Sequence, residues 1–97
     1  MGADGIDEFE AMATAEGFDE AVVRDWAANL SVEPHRHPFA ARALVVKGEM
    51  WLTVGGSTRH YVPGGSFELA PRVLHSERYG SEGATYWVAR KNEPPGA

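Results

Sequence analysis

The sequence predicts an all-β domain preceded by one short helix, and three observations carry that reading. From Glu20 onward, short runs rich in Val, Leu, Thr, Trp and Tyr are broken by Gly or Pro at the intervals typical of sandwiches and barrels. Before that point the apolar residues Phe9, Met12 and Ala13 recur at helical spacing. The whole chain has 97 residues, the size of one small domain, so any chemistry must fit a single core.

Taken in order, the helix runs from Asp7 to Ala15. Asp7, Glu8 and Glu10 lie in its first turn, where they complement the helix dipole, and Gly17 is placed to stop it. About seven strands follow on this reading. They are Ala21–Ala27, Phe39–Val46, Met50–Val54, Thr58–Val62, Ser66–Leu69, His75–Tyr79 and Thr85–Arg90. Turn signals at Pro34/Pro38, Lys47-Gly48, Gly55-Gly56, Pro63-Gly64-Gly65, Pro71 and Gly80/Gly83 separate them. Gly55-Gly56 reads as a tight hairpin, because both residues accept the positive φ of a type I′ turn. The organisation is thus an acidic helical segment over 1–19, a β-domain over 20–91 and a flexible tail over 92–97, which carries two prolines, a glycine and no large apolar group.

Composition removes several function classes. With 43% apolar residues and ten Phe, Trp or Tyr, the chain has enough material for a core, so disorder throughout is excluded. There is no cysteine, which leaves histidine and carboxylate as the available metal ligands. No apolar run approaches the ~20 residues of a membrane helix, and the acidic start of the chain is unlike a signal peptide, so a cytoplasmic address is expected. Net charge is −5; residues 1–33 hold nine acids against Arg24 alone, and 34–97 hold five against eight bases. Those bases are spread singly, with no stripe to track phosphates, which argues against nucleic acid and for a small neutral or weakly anionic ligand.

His35 and His37 stand two apart between Pro34 and Pro38, which push the backbone toward extended geometry. In a strand both imidazoles share one face; on a helix they would sit about 200° apart and could not share an ion. Alone, the pair also reads as two exposed histidines in a polar turn. His75 opens a later strand, with Glu77 on the same face. Three neutral imidazoles suit Fe(II), Ni(II), Cu(II), Zn(II) or Co(II), and a carboxylate beside them adds charge or acts as a base. Read blandly, Glu77 is a surface acid on an edge strand.

These residues resemble the two motifs of the cupin superfamily, small jelly-roll or double-stranded β-helix proteins of the RmlC-like kind. In the first motif Asn29 takes the initial glycine slot, His35-Arg36-His37 match the His-x-His, and Gly48 matches the final glycine; the glutamate slot falls on Ala41 or Arg42. In the second, Pro63-Gly64 to His75 has the required spacing, while Ala70 and Arg72 occupy the Pro and Gly slots and Tyr79 stands in place of Asn. The resemblance spans residues 29–79. It implies a cupin barrel with one divalent transition metal on His35, His37 and His75, in a homodimer. With the usual glutamate missing, Glu77 either replaces it from another strand or hydrogen-bonds a water at the ion, as the catalytic carboxylate. A residue two along a strand sits about 7 Å further on and must reach back to do so.

Other residues are assigned more loosely. Arg42 is placed either on a substrate carboxylate or at a surface or dimer interface. His60 is left outside the metal set. Trp51, Phe67, Tyr79, Tyr86 and Trp87 supply either a pocket mouth or core. Phe39 is placed nearest the metal by strand parity with His37, and Trp26 is offered as a seal at a subunit contact. Three function classes follow: a metal-dependent enzyme on a small organic molecule, with the resemblance pointing to an Fe(II) dioxygenase; a non-catalytic sugar- or metabolite-binding module; and metal-independent acid/base chemistry on His75 and Glu77.

Overall fold

The computed structural model describes residues 2–92. In chain order these form α1 (Gly2–Ala15), β1 (Glu20–Trp26), β2 (Ser31–His35), β3 (Ala40–Val54), β4 (Ser57–Tyr61), β5 (Ser66–Leu69) and β6 (His75–Lys91). Most of the tail predicted over 92–97 lies outside the described residues.

The spine is the antiparallel pair β3 and β6, in register from Ala40 opposite Lys91 to Val54 opposite His75. Each long strand serves two neighbourhoods. The first half of β3 also pairs with β5 and its second half with β4, while the late half of β6 pairs with β1 and its early half with β2. The result is one strongly bent antiparallel sheet whose halves face each other as a jelly roll.

Two of the predicted turns are therefore bends within strands. Phe39–Val46 and Met50–Val54 join as β3, and His75–Tyr79 and Thr85–Arg90 join as β6; with the unpredicted β2 added, six strands replace the expected seven. The register shifts between Val45 and Lys47 and again between Gly48 and Met50, which marks β-bulges. Gly48 and Gly83 hold φ of 73° and 71° there. A Cβ on Gly48 would lie 2.1 Å from the Gly83 carbonyl oxygen, so the glycine signal reports close backbone approach across the bend. Gly55-Gly56 does form the predicted two-residue hairpin, joining β3 to β4 with both φ positive.

The bulges also change parity. Facing the barrel interior, the buried residues of β3 are Ala41, Ala43 and Val45, then Met50 and Leu52; those of β6 are His75, Glu77 and Tyr79, then Ala84, Tyr86 and Val88, while Ala89 is buried on the other face under α1. Odd numbers face inward before each bend and even numbers after it, so both halves keep one interior. The helix covers the outside: Phe9 and Ala13 of α1 pack on Ala89, Trp87 and Leu44, with Phe9 and Trp87 ring centroids 5.8 Å apart. It begins earlier than the periodicity suggests, at Gly2.

Candidate metal centre

β2, which the sequence reading leaves as a turn, joins the two distant histidine segments. His35 is the register partner of His75, and the pairing is irregular between Val32 and His35. Pro34 falls in that irregular step, where its missing N–H costs no ladder bond. His37 lies just past β2; its carbonyl accepts a hydrogen bond from the Arg72 N–H at 2.7 Å, which ties its loop to the segment preceding β6.

The three rings converge. Ring centroids are 4.2 Å apart for His35 and His75, 4.8 Å for His35 and His37, and 5.0 Å for His37 and His75. One nitrogen from each lies within 4.8 Å of the others. His35 Nδ1 lies 2.8 Å from the Glu33 carbonyl and His75 Nδ1 lies 2.9 Å from that of Val73. A carbonyl only accepts, so both protons sit on Nδ1 and both Nε2 lone pairs are free, as a metal ligand requires. Burial, and then the neighbouring His75 and His35, hold the His37 pKa below its ordinary value, which favours the neutral ring.

Glu77 lies beside two of the three histidines. Its side chain reaches back along β6, placing Oε2 3.4 Å from His35 Nε2 and 3.5 Å from His75 Nε2. Ligand atoms about 2.1 Å from one ion stand roughly 3.4 Å apart in a tetrahedron, so Oε2 has the spacing of a fourth ligand to two of the histidines. The other oxygen, Oε1, accepts from the Tyr79 hydroxyl and, at 3.1 Å, from the Tyr86 hydroxyl. Burial raises the pKa of both tyrosines, with the charge of Glu77 adding to the rise, so both remain donors. The three imidazoles, with no thiolate among them, fit a divalent transition metal.

The group opens into a cavity of about 100 Å³ whose walls include Phe39, Ala43, Phe67, Leu69, Tyr86 and Val88. Phe39 stacks on His37 with centroids 4.7 Å apart. Two arginines that the sequence reading passed over also line it, Arg24 and Arg90. Strand parity was the available signal, because Arg24 alternates with Val22 and Trp26 on the inner face of β1, as Arg90 does with Val88 and Tyr86 on β6.

Of the residues assigned more loosely, Arg42 takes its surface alternative, Trp87 packs as core under the helix and His60 stays outside the metal set, while Trp26 needs correcting. Arg42 points outward, paired with Glu16 and Glu68 and lying over the Phe18 ring, so it does not reach the site. Trp26 stacks on Tyr79 inside the barrel at 5.2 Å, so its ring is not a seal between subunits. Trp87 lies under α1 and Trp51 lies outside the barrel between His60 and Arg78, so neither rims the pocket. His60 pairs with Glu49 at 2.7 Å, away from the other histidines.

No helix among the described residues is long and apolar enough to cross a membrane. The family profile of the AraC-like ligand binding domain matches residues 17–90. No curated protein sequence matches the chain. Among solved structures, the chain is similar to the Cnp3 cupin domain of Schizosaccharomyces pombe at 16% identity and TM-score 0.70, over 76% of this chain and 56% of that one. It is similar to KdgF from Halomonas sp. at 18% identity and TM-score 0.71, over 81% of this chain and 73% of that one. It is similar to the DMSP lyase DddQ from Ruegeria pomeroyi DSS-3 at 21% identity and TM-score 0.73, over 84% of this chain but 42% of that one. The likeness is one of fold, and the chain spans little more than half of the Cnp3 domain.

Proposed function

The chain belongs to the AraC-like ligand binding domain family, and from that premise we propose that it is a small cupin metalloprotein. It holds one divalent transition metal (Fe, Ni, Zn, Cu or Co) through His35, His37 and His75 and offers it to a small organic molecule. The observation that carries this reading is the convergence of three imidazoles, two of them fixed in the ligating tautomer by main-chain carbonyls. Once bound, the ion supplies Lewis acidity and open coordination positions, and iron would add reactivity toward dioxygen.

The chain's own residues do the rest. Oε1 of Glu77 is occupied by two tyrosine hydroxyls, so Oε2 is the basic atom turned toward the centre and is where a substrate proton would be held. Phe39, Phe67, Leu69 and Val88 give the cavity beside it an apolar wall. The test is elemental analysis of purified protein beside His35→Ala and His75→Ala variants. About one metal per chain is expected, with loss in both variants. Equal metal content in all three would overturn the reading. For the dioxygenase version, iron-loaded protein should consume oxygen with some member of a panel of thiols, diketones and phenolic acids; silence across the panel would remove it.

The family's ligand-binding description favours a second reading, a non-catalytic binding module. About 100 Å³ suits a small metabolite better than a whole sugar, since pockets for larger ligands run to ~300 Å³ and beyond. Saturable stabilisation by a ligand without turnover, persisting in metal-free protein, would select it. A homodimer, also proposed, would use the outer edge of β1, which pairs with no strand among the described residues and carries the exposed Val23. Sedimentation velocity decides that point.

A further inference from the structure

Two cations line the cavity of the candidate centre, and among the described residues neither is paired with an acid. Arg24 lies over the Trp26 ring at 4.9 Å and Arg90 over the Phe39 ring at 5.0 Å, and both line the cavity that holds the three histidines. Among the described residues neither forms an ion pair, whereas Arg42 on the outer surface has both Glu16 and Glu68. An inward-facing arginine on a strand is uncommon, because guanidinium is costly to bury unless something answers it. The aromatic rings beneath answer only part of that demand.

A second observation points to the same place. Two buried side-chain nitrogens of residues lining this cavity, Trp26 Nε1 and Arg90 Nε, make no hydrogen bond of ordinary geometry among the described residues; the indole has the Tyr86 hydroxyl in its neighbourhood, and Arg90 Nε has no acceptor. Buried donors are normally satisfied, so the Arg90 nitrogen wants an acceptor that comes from outside the chain. The same cavity is also lined by apolar residues, Ala41, Ala43, Phe67, Leu69 and Val88 among them. A space of about 100 Å³ is roughly three waters' worth, room for a body of only a few heavy atoms.

We propose that the pocket takes a short-chain organic acid, its carboxylate held by Arg90 and Arg24 and its apolar body pointing toward the three histidines and Glu77. The planar fork of Arg90 grips a carboxylate through two parallel N–H donors, which an isolated ammonium does not do. This deepens the metal reading above and rests on it only for what the far end of the acid meets.

The experiment titrates propionate, with propionamide as its neutral counterpart, into nitrogen-15-labelled protein and follows the Trp26 indole N–H resonance, identified by Trp26→Phe. It is run on metal-free and on zinc-treated protein, with zinc content measured in each sample. Propionate is expected to shift the indole saturably in both samples, and propionamide to leave it unmoved. Arg90→Gln is expected to weaken propionate at least about tenfold, as loss of a charge-assisted pair does. Arg24→Gln and Arg90→Lys guard against a variant that fails to fold, each weakening propionate while retaining zinc uptake. Propionate binding that needs zinc and ignores both arginines puts the carboxylate on the ion, which overturns this proposal and leaves the metal reading intact. Equal binding of acid and amide, or no shift by either, also overturns it. Arginine-dependent propionate binding in a chain that never takes up zinc upholds the carboxylate site and sinks the metal reading.

Discussion

The two oxygens of Glu77 have separate duties, and substitution separates them. Glu77→Gln keeps an acceptor for Tyr79 and Tyr86 but removes the negative charge from the position 3.4 Å from His35 Nε2. Zinc affinity measured by calorimetry is expected to fall about 10–100-fold with near-ultraviolet dichroism unchanged; an unaltered affinity would take Glu77 out of the site. His37 gives a pH signature. Burial is the main reason its pKa lies below the ordinary 6.5, with the fields of His75, His35 and Arg90 adding and that of Glu77 opposing. The unfolded chain therefore holds more protons than the folded one near pH 6.5. This contribution is complete above that value and is lost as pH falls toward the lower folded pKa. The urea midpoint of metal-free protein should drop between about pH 7.5 and about pH 5.5, and His37→Asn should flatten the drop. The histidines were legible because their spacing and flanking prolines signal extended backbone. Arg24 and Arg90 were legible only through parity with Val22, Trp26, Tyr86 and Val88, a signal that points inward once the inner face of each strand is known.

The long strands explain what pattern reading finds and where it miscounts. Alternation located nearly every β segment, but Gly48 and Gly83 carry the same composition signal whether the chain reverses or merely bends. β2 escaped for a different reason: of its five residues only Val32 is a strong strand former, and its place comes from pairing with β6 rather than from local preference. Gly48→Ala tests the bend. Its Cβ would sit 2.1 Å from the Gly83 oxygen at a φ of 73°, so chemical denaturation should show a loss of more than about 2 kcal/mol. The helix is a separate support. Phe9→Ala, at the one buried aromatic of α1, should cost about 3 kcal/mol by the same measurement, without changing metal affinity, because α1 lies on the opposite face of the sheet from the histidines.

For the molecule as a whole, the three histidines come from segments that only the completed fold brings together, so metal binding and folding should be linked. A metal at a hundred times its dissociation constant adds about 2.7 kcal/mol, which raises the melting temperature of a domain this size by roughly 10–20 °C. Scanning calorimetry with and without zinc should show that rise, a chelator should reverse it, and His35→Ala should abolish it; a zinc-independent melting curve would contradict the linkage. The parity change at the two bends has a further consequence. It makes the sequence behave like a message with a fixed reading frame: deleting one residue between Val45 and Met50 would turn the rest of β3 inside out, sending Met50 and Leu52 to solvent and drawing Trp51 into the barrel. Such a deletion, a change of one residue at a bend, would here be as ruinous as a frameshift in a gene, and a compensating insertion in the same bend is what would restore the sense.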